Sequence, residues 1–164
     1  MKRIHTTIFA PAILLFAGTS FATTWTVDDD GKADFDNIQA AVDASSDGDE
    51  IIVMPGIYTS TADEVVNMLG KAVWLHSSDG PEVTIVNGED VRRGILCNGG
   101  ETSKTIIEGL TITQGNAGLG GGMFNYQPTN QDVCDPTLID CRFLSNAADK
   151  GAAGCTTTAK APPR

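Results

Sequence analysis

Hydrophobic positions in this chain follow two patterns. Over residues 34–44 the apolar side chains Phe35, Ile38 and Val42 recur at i, i+3 and i+7, one stripe of an amphipathic helix. Asp34 stands where an N-cap is needed, and Asp36 falls in the first turn, where the helix dipole favours an anion. Ser45-Ser46-Asp47-Gly48 ends the helix. Elsewhere the apolar runs are short. Residues 25–27 precede the helix; after it come 51–53, 72–75, 83–86, 94–97, 105–107, 110–112, 138–139 and 142–143, each bounded by Gly, Asp, Asn or Pro. Short strands between turns suit a sandwich, a barrel or a β-helix.

Internal similarity decides among these. Residues 106–117 lead to Gly120-Gly121-Gly122-Met123-Phe124-Asn125, and residues 137–147 lead to Gly151-Ala152-Ala153-Gly154. Both stretches read apolar pair, acid, small residue, a large apolar residue, Asn-Ala, then a cluster of tiny residues. One single-residue gap aligns Asn116 with Asn146, and the period is that of a solenoid repeat. The pattern predicts coils stacked into a parallel β-helix. Ile112 and Phe143 point into its narrow core, and Asn116 and Asn146 sit at equivalent corners, where their amides can ladder. Glu108 and Asp140 fall at equivalent places on a solvated coil face. The helix covers the open end of the stack, where apolar side chains and strand edges would otherwise meet water.

The first 22 residues read as a signal peptide. Lys2, Arg3 and His5 are basic, residues 8–17 are apolar but too few to span a bilayer, and Ser20-Phe21-Ala22 places small residues before a cut that leaves Thr23 first. No later segment has the makings of a transmembrane helix. The expected layout is signal peptide 1–22, cap 23–48, coils 49–154 and a tail, 155–164, that breaks the repeat. One legal choice of codons from Gly154, read two bases later, restores Met-Tyr-Asn-Tyr and a later Pro-Thr. A frame shift near Gly154 is therefore expected, and the chain reads as the N-terminal part of a longer protein. Eighteen glycines in 164 residues fit many corners. The formal charge of −10 argues against a nucleic-acid partner or an anionic membrane. Cys97, Cys134, Cys141 and Cys155 form no C-x-x-C, and sequence leaves their pairing open.

Residues 25–58 carry a resemblance. Thr26-Val27-Asp28-Asp29-Asp30-Gly31, then Asp34-Phe35 with Ile38-Gln39-Ala40-Ala41-Val42-Asp43, and Ile51-Ile52-Val53-Met54-Pro55-Gly56-Ile57-Tyr58 resemble the opening of secreted right-handed β-helix proteins of the pectate-lyase-like superfamily, pectinesterases among them. Phe143-Leu144-Ser145-Asn146 and Gly120-Gly121-Gly122-Met123 are similar to repeats of polymorphic outer-membrane proteins. The resemblance implies an all-β, right-handed parallel β-helix with one capping helix, at the cell surface or outside the cell. It also implies three functions. The leading one is a non-catalytic surface for polysaccharide or a cell-surface protein, with Trp74, Tyr58, Phe124 and Tyr126 as candidate contacts, although a core or stacking role is the favoured reading of each. The second is the N-terminal part of a polysaccharide lyase, carbohydrate esterase or hydrolase whose catalytic coils lie elsewhere. The third is an autotransporter-like passenger or adhesin.

Candidate chemistry is thin. The motifs that supply the paired carboxylates of pectinesterases are missing, and Arg92, Arg93 and Arg142 are the mid-chain candidates for a lyase base. No catalytic residue is assigned. Asp28, Asp30 and Asp34 form a loose calcium loop without the pattern of an EF-hand, so a turn is the expected role and calcium the weaker one. Gly115, Gly118 and Gly120 have no following Gly-Lys-Ser/Thr and read as corners rather than a phosphate loop. His76 lacks a triad partner motif.

Overall fold

The computed structural model describes residues 22–126, 134–151 and 154–158. The expected signal peptide, Ala22 excepted, and residues 159–164 of the tail lie outside them, as do Ala152 and Ala153 of the small-residue cluster. The chain forms a parallel β-helix. Its entry is β1 (Thr24–Val27) and α1 (Ile38–Ala44). The first coil is β2 (Glu50–Val53), β3 (Gly56–Tyr58) and β4 (Glu64–Asn67); the second is β5 (Trp74–Ser77), β6 (Thr84–Asn87) and β7 (Arg93–Cys97). The third is β8 (Ile106–Glu108), β9 (Thr111–Thr113), β10 (Asn116–Ala117) and β11 (Met123–Tyr126). The fourth is β12 (Thr137–Ile139), β13 (Arg142–Leu144), β14 (Ala147–Ala148) and β15 (Cys155–Thr158). Each coil gives one strand to each of three sheets: β1-β2-β5-β8-β12, β3-β6-β9-β13 and β4-β7-β11-β15. Every strand pairing among the described residues is parallel.

Period-two alternation aims one residue in two at the axis, and the inward residues stack in rows along it. Ile51, Leu75 and Ile107 form the row of the first sheet. Tyr58, Val86, Ile112 and Phe143 form that of the second, and Val66, Ile95 and Met123 that of the third. Ile51, Leu75, Ile107, Val86, Ile112, Val66, Ile95 and Met123 are wholly buried, each contributing about 1.5–3 kcal/mol of transfer free energy.

The helix differs from the sequence expectation at its start. Its N-cap is Asn37, which has an extended backbone and whose side-chain oxygen accepts from Ala40 N at 2.8 Å. Asp34 does not cap it: Asp34 Oδ2 accepts from Thr26 N at 2.9 Å and Thr26 Oγ1 at 2.8 Å. Phe35 therefore lies before the helix, bridging to Val27 and meeting the Trp25 ring edge-on at 5.5 Å, while Ile38 and Val42 form its buried side with Ala41. Asp36 is outside the first turn.

The entry covers all three sheet edges by different means. β1 pairs with β2. The Gln39 side-chain amide stands in for a strand beside β4, donating to Asn67 O at 3.2 Å and accepting from Asn67 N at 2.6 Å. Asp29 Oδ2 takes Ile57 N on β3 at 3.0 Å. Lys71 closes the helix, its ammonium on the carbonyls of Val42, Asp43 and Ser45, where the dipole favours a cation.

From β8 to β10 coil three stacks on coil four at an offset of 31 residues, without the gap expected from sequence in that stretch, and the offset becomes 32 only between β11 and β15. Asn116 pairs with Ala147 instead of Asn146, and Asn146 sits over Gly115. Asn146 holds Gly115 N at 2.7 Å and Ile112 O at 3.0 Å, so it clamps the preceding coil and forms no ladder with Asn116, whose amide reaches Asp90 O. Glu108 likewise pairs with Ile139, not Asp140. Asp140 is the left-handed corner residue at φ 46°, matching Gly109 at φ 67°. Side-chain caps at other corners fall to Asn67 and Asn87, whose oxygens take Leu69 N and Glu89 N. Corner stacking is tight: a Cβ on Gly99 would lie 2.3 Å from Gly70 N. Cys155–Thr158, counted with the tail above, is a strand in register with Met123–Tyr126.

Candidate functional site

The outward residues of the first sheet form two rows across the coils. One is Thr24, Glu50, Trp74, Ile106 and Thr137; the other is Thr26, Ile52, His76, Glu108 and Ile139. Alternation puts Trp74 outside because Leu75 must be inside, and the indole is 40 % exposed at the middle of the face. The imidazole of His76 stacks on it at 4.1 Å between centroids, 26° from parallel. Trp74 Nε1 donates to Glu108 Oε2 at 3.0 Å. Glu50 accepts from Thr24 Oγ1 at 2.9 Å and lies 3.0 Å from His76 Nε2. His76 Nδ1 faces Ser77 O at 3.1 Å, so both ring nitrogens face acceptors. Two rings, two carboxylates and a hydroxyl thus form one connected band over the entry strand and three coils.

Electrostatics favour the ionised form of Glu50. His76, then Thr24, hold the Glu50 carboxyl below its ordinary value, outweighing its partial burial. A carboxylate held ionised is suited to accepting hydrogen bonds, whereas a general acid needs a raised pKa. At the neighbouring corner an open groove of about 560 Å³ runs along Asp47, Gly48, Ala72, Ser103, Lys104 and Ile106. Ala72 and Ile106 flank Trp74 in sequence and in register, so the groove extends the aromatic face.

A second aromatic surface lies on the third sheet. The rings of Phe124 and Tyr126 are 5.7 Å apart and 10° from parallel, and Tyr126 is 40 % exposed. Arg93 covers Phe124, its guanidinium carbon 5.1 Å from the ring centroid, and is itself fixed by Nε to Gly120 O at 3.2 Å and Nη2 to Leu119 O at 3.1 Å. Tyr58 is buried, its hydroxyl donating toward Met54 O at 2.8 Å and Val27 O at 3.3 Å, with burial the first cause that pushes it up to about 12. It takes no part in either surface.

The other candidates separate. Asp28 receives Asp30 N at 3.2 Å, Asp30 pairs with Lys32, and Asp34 holds Thr26. The three carboxylates do not converge, and among the described residues no three or more His, Cys, Asp or Glu side chains could hold a metal ion. Arg92 pairs with Glu89 and Arg142 with Glu82, both at the surface. Cys134 and Cys141 carry free thiols. Cys134 donates toward Glu101 Oε2 at 3.1 Å. Glu101 is fully buried and also takes Gly70 N at 2.8 Å and Gly99 N at 3.0 Å, stapling successive corners. Sequence reasoning passed over Glu101, Glu50 and Asp49, because an acid in a turn-rich chain reads as solvated until its partner from another coil is known. Among the described residues no helix is long and apolar enough to cross a membrane.

No family model matches the chain, and it has no match among curated proteins or solved structures. Its own geometry therefore carries the classification: a parallel β-helix of about four coils with, among the described residues, a single short capping helix.

Proposed function

We propose that this protein is exported and binds polysaccharide on the outward face of its first sheet, without transforming it. The observation that carries the reading is Trp74: a large apolar ring, 40 % exposed, on the middle strand of a parallel sheet and fixed in orientation by Glu108 and His76. A fixed aromatic ring bordered by hydrogen-bonding side chains matches a sugar, which offers an apolar C–H face and a hydroxyl rim. Successive coils repeat at strand spacing, so the face suits an extended chain of residues rather than a compact molecule. Glu50, Glu108 and the net charge of −10 disfavour polyuronates and favour a neutral glycan. The resemblance of residues 25–58 to secreted β-helix proteins supports the same class.

The test is depletion of the purified protein from solution by insoluble neutral glucans, mannans and chitin, with polygalacturonate as the anionic control. Retention on a neutral glycan, with none on polygalacturonate, is expected. Failure to bind any of them, or release of reducing ends or methanol, contradicts the proposal.

A further inference from the structure

We infer that export processing builds a contact into this fold: the α-ammonium released by cutting between Ala22 and Thr23 seats on the buried Asp49 carboxylate and fastens β1 to the coil stack. This rests on the export proposed above. Thr23 N lies 2.7 Å from Asp49 Oδ1, and Thr23 O accepts from Glu50 N at 2.9 Å, so the residue is held from both sides. Asp49 is 4 % exposed, and its other oxygen takes Ser46 N at 2.9 Å and Trp25 Nε1 at 3.2 Å. The carboxylate thus joins the chain start, the β1 tryptophan and the turn after α1.

In the uncut chain Thr23 N is an amide with one N–H, which Asp49 already receives. Hydrolysis adds water across the Ala22–Thr23 bond. The carboxyl leaves with Ala22, and the nitrogen stays on Thr23 as an amine that takes up a proton. A neutral donor then becomes a cation at the same place, beside a carboxylate shielded from water, and charge-assisted bonds are about twice as strong as neutral ones. Ala22 and Thr23 are exposed, so the bond is open to a peptidase. Other charges facing the seat are few. Lys71 acts on Asp49 as a nearby cation but keeps its ammonium on the helix-end carbonyls, and the Glu50 carboxylate is turned to Thr24 and His76. Burial alone pushes the Asp49 carboxyl up, yet Thr23, Ser46 and Trp25, with Lys71, hold it below its ordinary value.

The experiment compares proteins released from a fusion so that one begins at Thr23 and the other at Ala22, each also as Asp49→Asn. Urea midpoints are measured at pH 6, and acylation of the α-amine is followed by mass at neutral pH, folded and in urea. The Thr23 form should fold with an equilibrium constant about tenfold higher than the Ala22 form, equivalent to one pKa unit on the amine. Its amine should acylate about tenfold more slowly folded than unfolded, and Asp49→Asn should erase the midpoint difference. If Asp49→Asn does not fold, the acylation contrast on the unsubstituted chain decides. Equal midpoints with a fully reactive folded amine overturn the seat. The N-terminal peptide of exported protein is read separately: a start other than Thr23 overturns the processing half, whereas a Thr23 start with equal midpoints overturns the ion pair alone.

Discussion

The two aromatic surfaces look alike in composition and differ in what already occupies them. On the third sheet Phe124 and Tyr126 lie side by side, but Arg93 rests on Phe124 and is tied to two backbone carbonyls. That cation gives the aromatic pair an internal partner, and burial, opposed by Glu64 and Asp63, lowers its pKa. On the first sheet the groups around Trp74 orient the ring from its edge and one side, through Glu108 and His76, and leave it half exposed. The difference lies in the neighbours: a fixed cation lies over Phe124, whereas Trp74 has a carboxylate at its N–H and an imidazole against one face.

The largest effect expected on stability separates adjacent residues of one strand. Leu75→Asp places an unpaired carboxylate in the core row and should cost about 3–5 kcal/mol, enough to unfold much of the protein. Trp74→Ala, one residue away and outward, should cost about 1 kcal/mol by urea midpoint. Similar losses at both positions would remove the inward–outward assignment of β5.

Next in size is acid. Asp49 and Glu50 both have folded pKa values below their ordinary 3.8 and 4.5. A depressed carboxyl contributes stability that is present above its unfolded pKa and lost as pH falls through the folded value. Stability should therefore be flat from neutral pH to about 5 and fall below about 4. Hydrogen exchange at low pH should show β1 and β2 opening before β7 and β11, where Arg93 stays charged. Simultaneous opening of both would contradict the contrast.

Arg93→Ala should cost about 1–2 kcal/mol, through two carbonyls left without their donors and the lost cation–π contact, yet leave glycan retention unchanged. A loss of retention would move the site to the third sheet. The smallest effect is expected for Glu108→Gln, which keeps an oxygen for the indole N–H. Stability should stay within about 0.5 kcal/mol and affinity fall about twofold to threefold, as one hydrogen bond to sugar weakens.

Fold class was legible because solenoid physics is written locally. Short apolar runs, turn residues between them and one amphipathic stripe give strands, corners and a cap. Strand positions slipped by a residue or two, as with 72–75 for Trp74–Ser77, and β3, β4, β10, β11, β14 and β15 were missed because Gly, Asn, Glu or runs of small residues occupy them. The coil register was legible to within one residue. Asn116 and Asn146 look equivalent in sequence, whereas the backbone matches Gly115 to Asn146, a glycine leaving room for the amide that reaches it. Candidate contacts were legible by type only. Trp74, Phe124, Tyr126 and Tyr58 all read as aromatics on short strands, and what separates them is a partner from another coil: Glu108, Arg93, or the carbonyls around the Tyr58 hydroxyl. Asp34 shows the same limit, since Thr26 across the turn claims the carboxylate that was expected to cap the helix.

The central claim is tested most directly by one binding series on the neutral glycan that retains the protein. Dissociation constants are measured for the unsubstituted chain, Trp74→Ala, and Phe124→Ala with Tyr126→Ala, each first shown to be folded by its urea midpoint. Trp74→Ala should weaken binding at least about thirtyfold, the loss expected for a stacking ring worth about 2 kcal/mol, and the third-sheet pair should change it less than about threefold. Undiminished binding by Trp74→Ala, with loss in the third-sheet pair, would contradict the account.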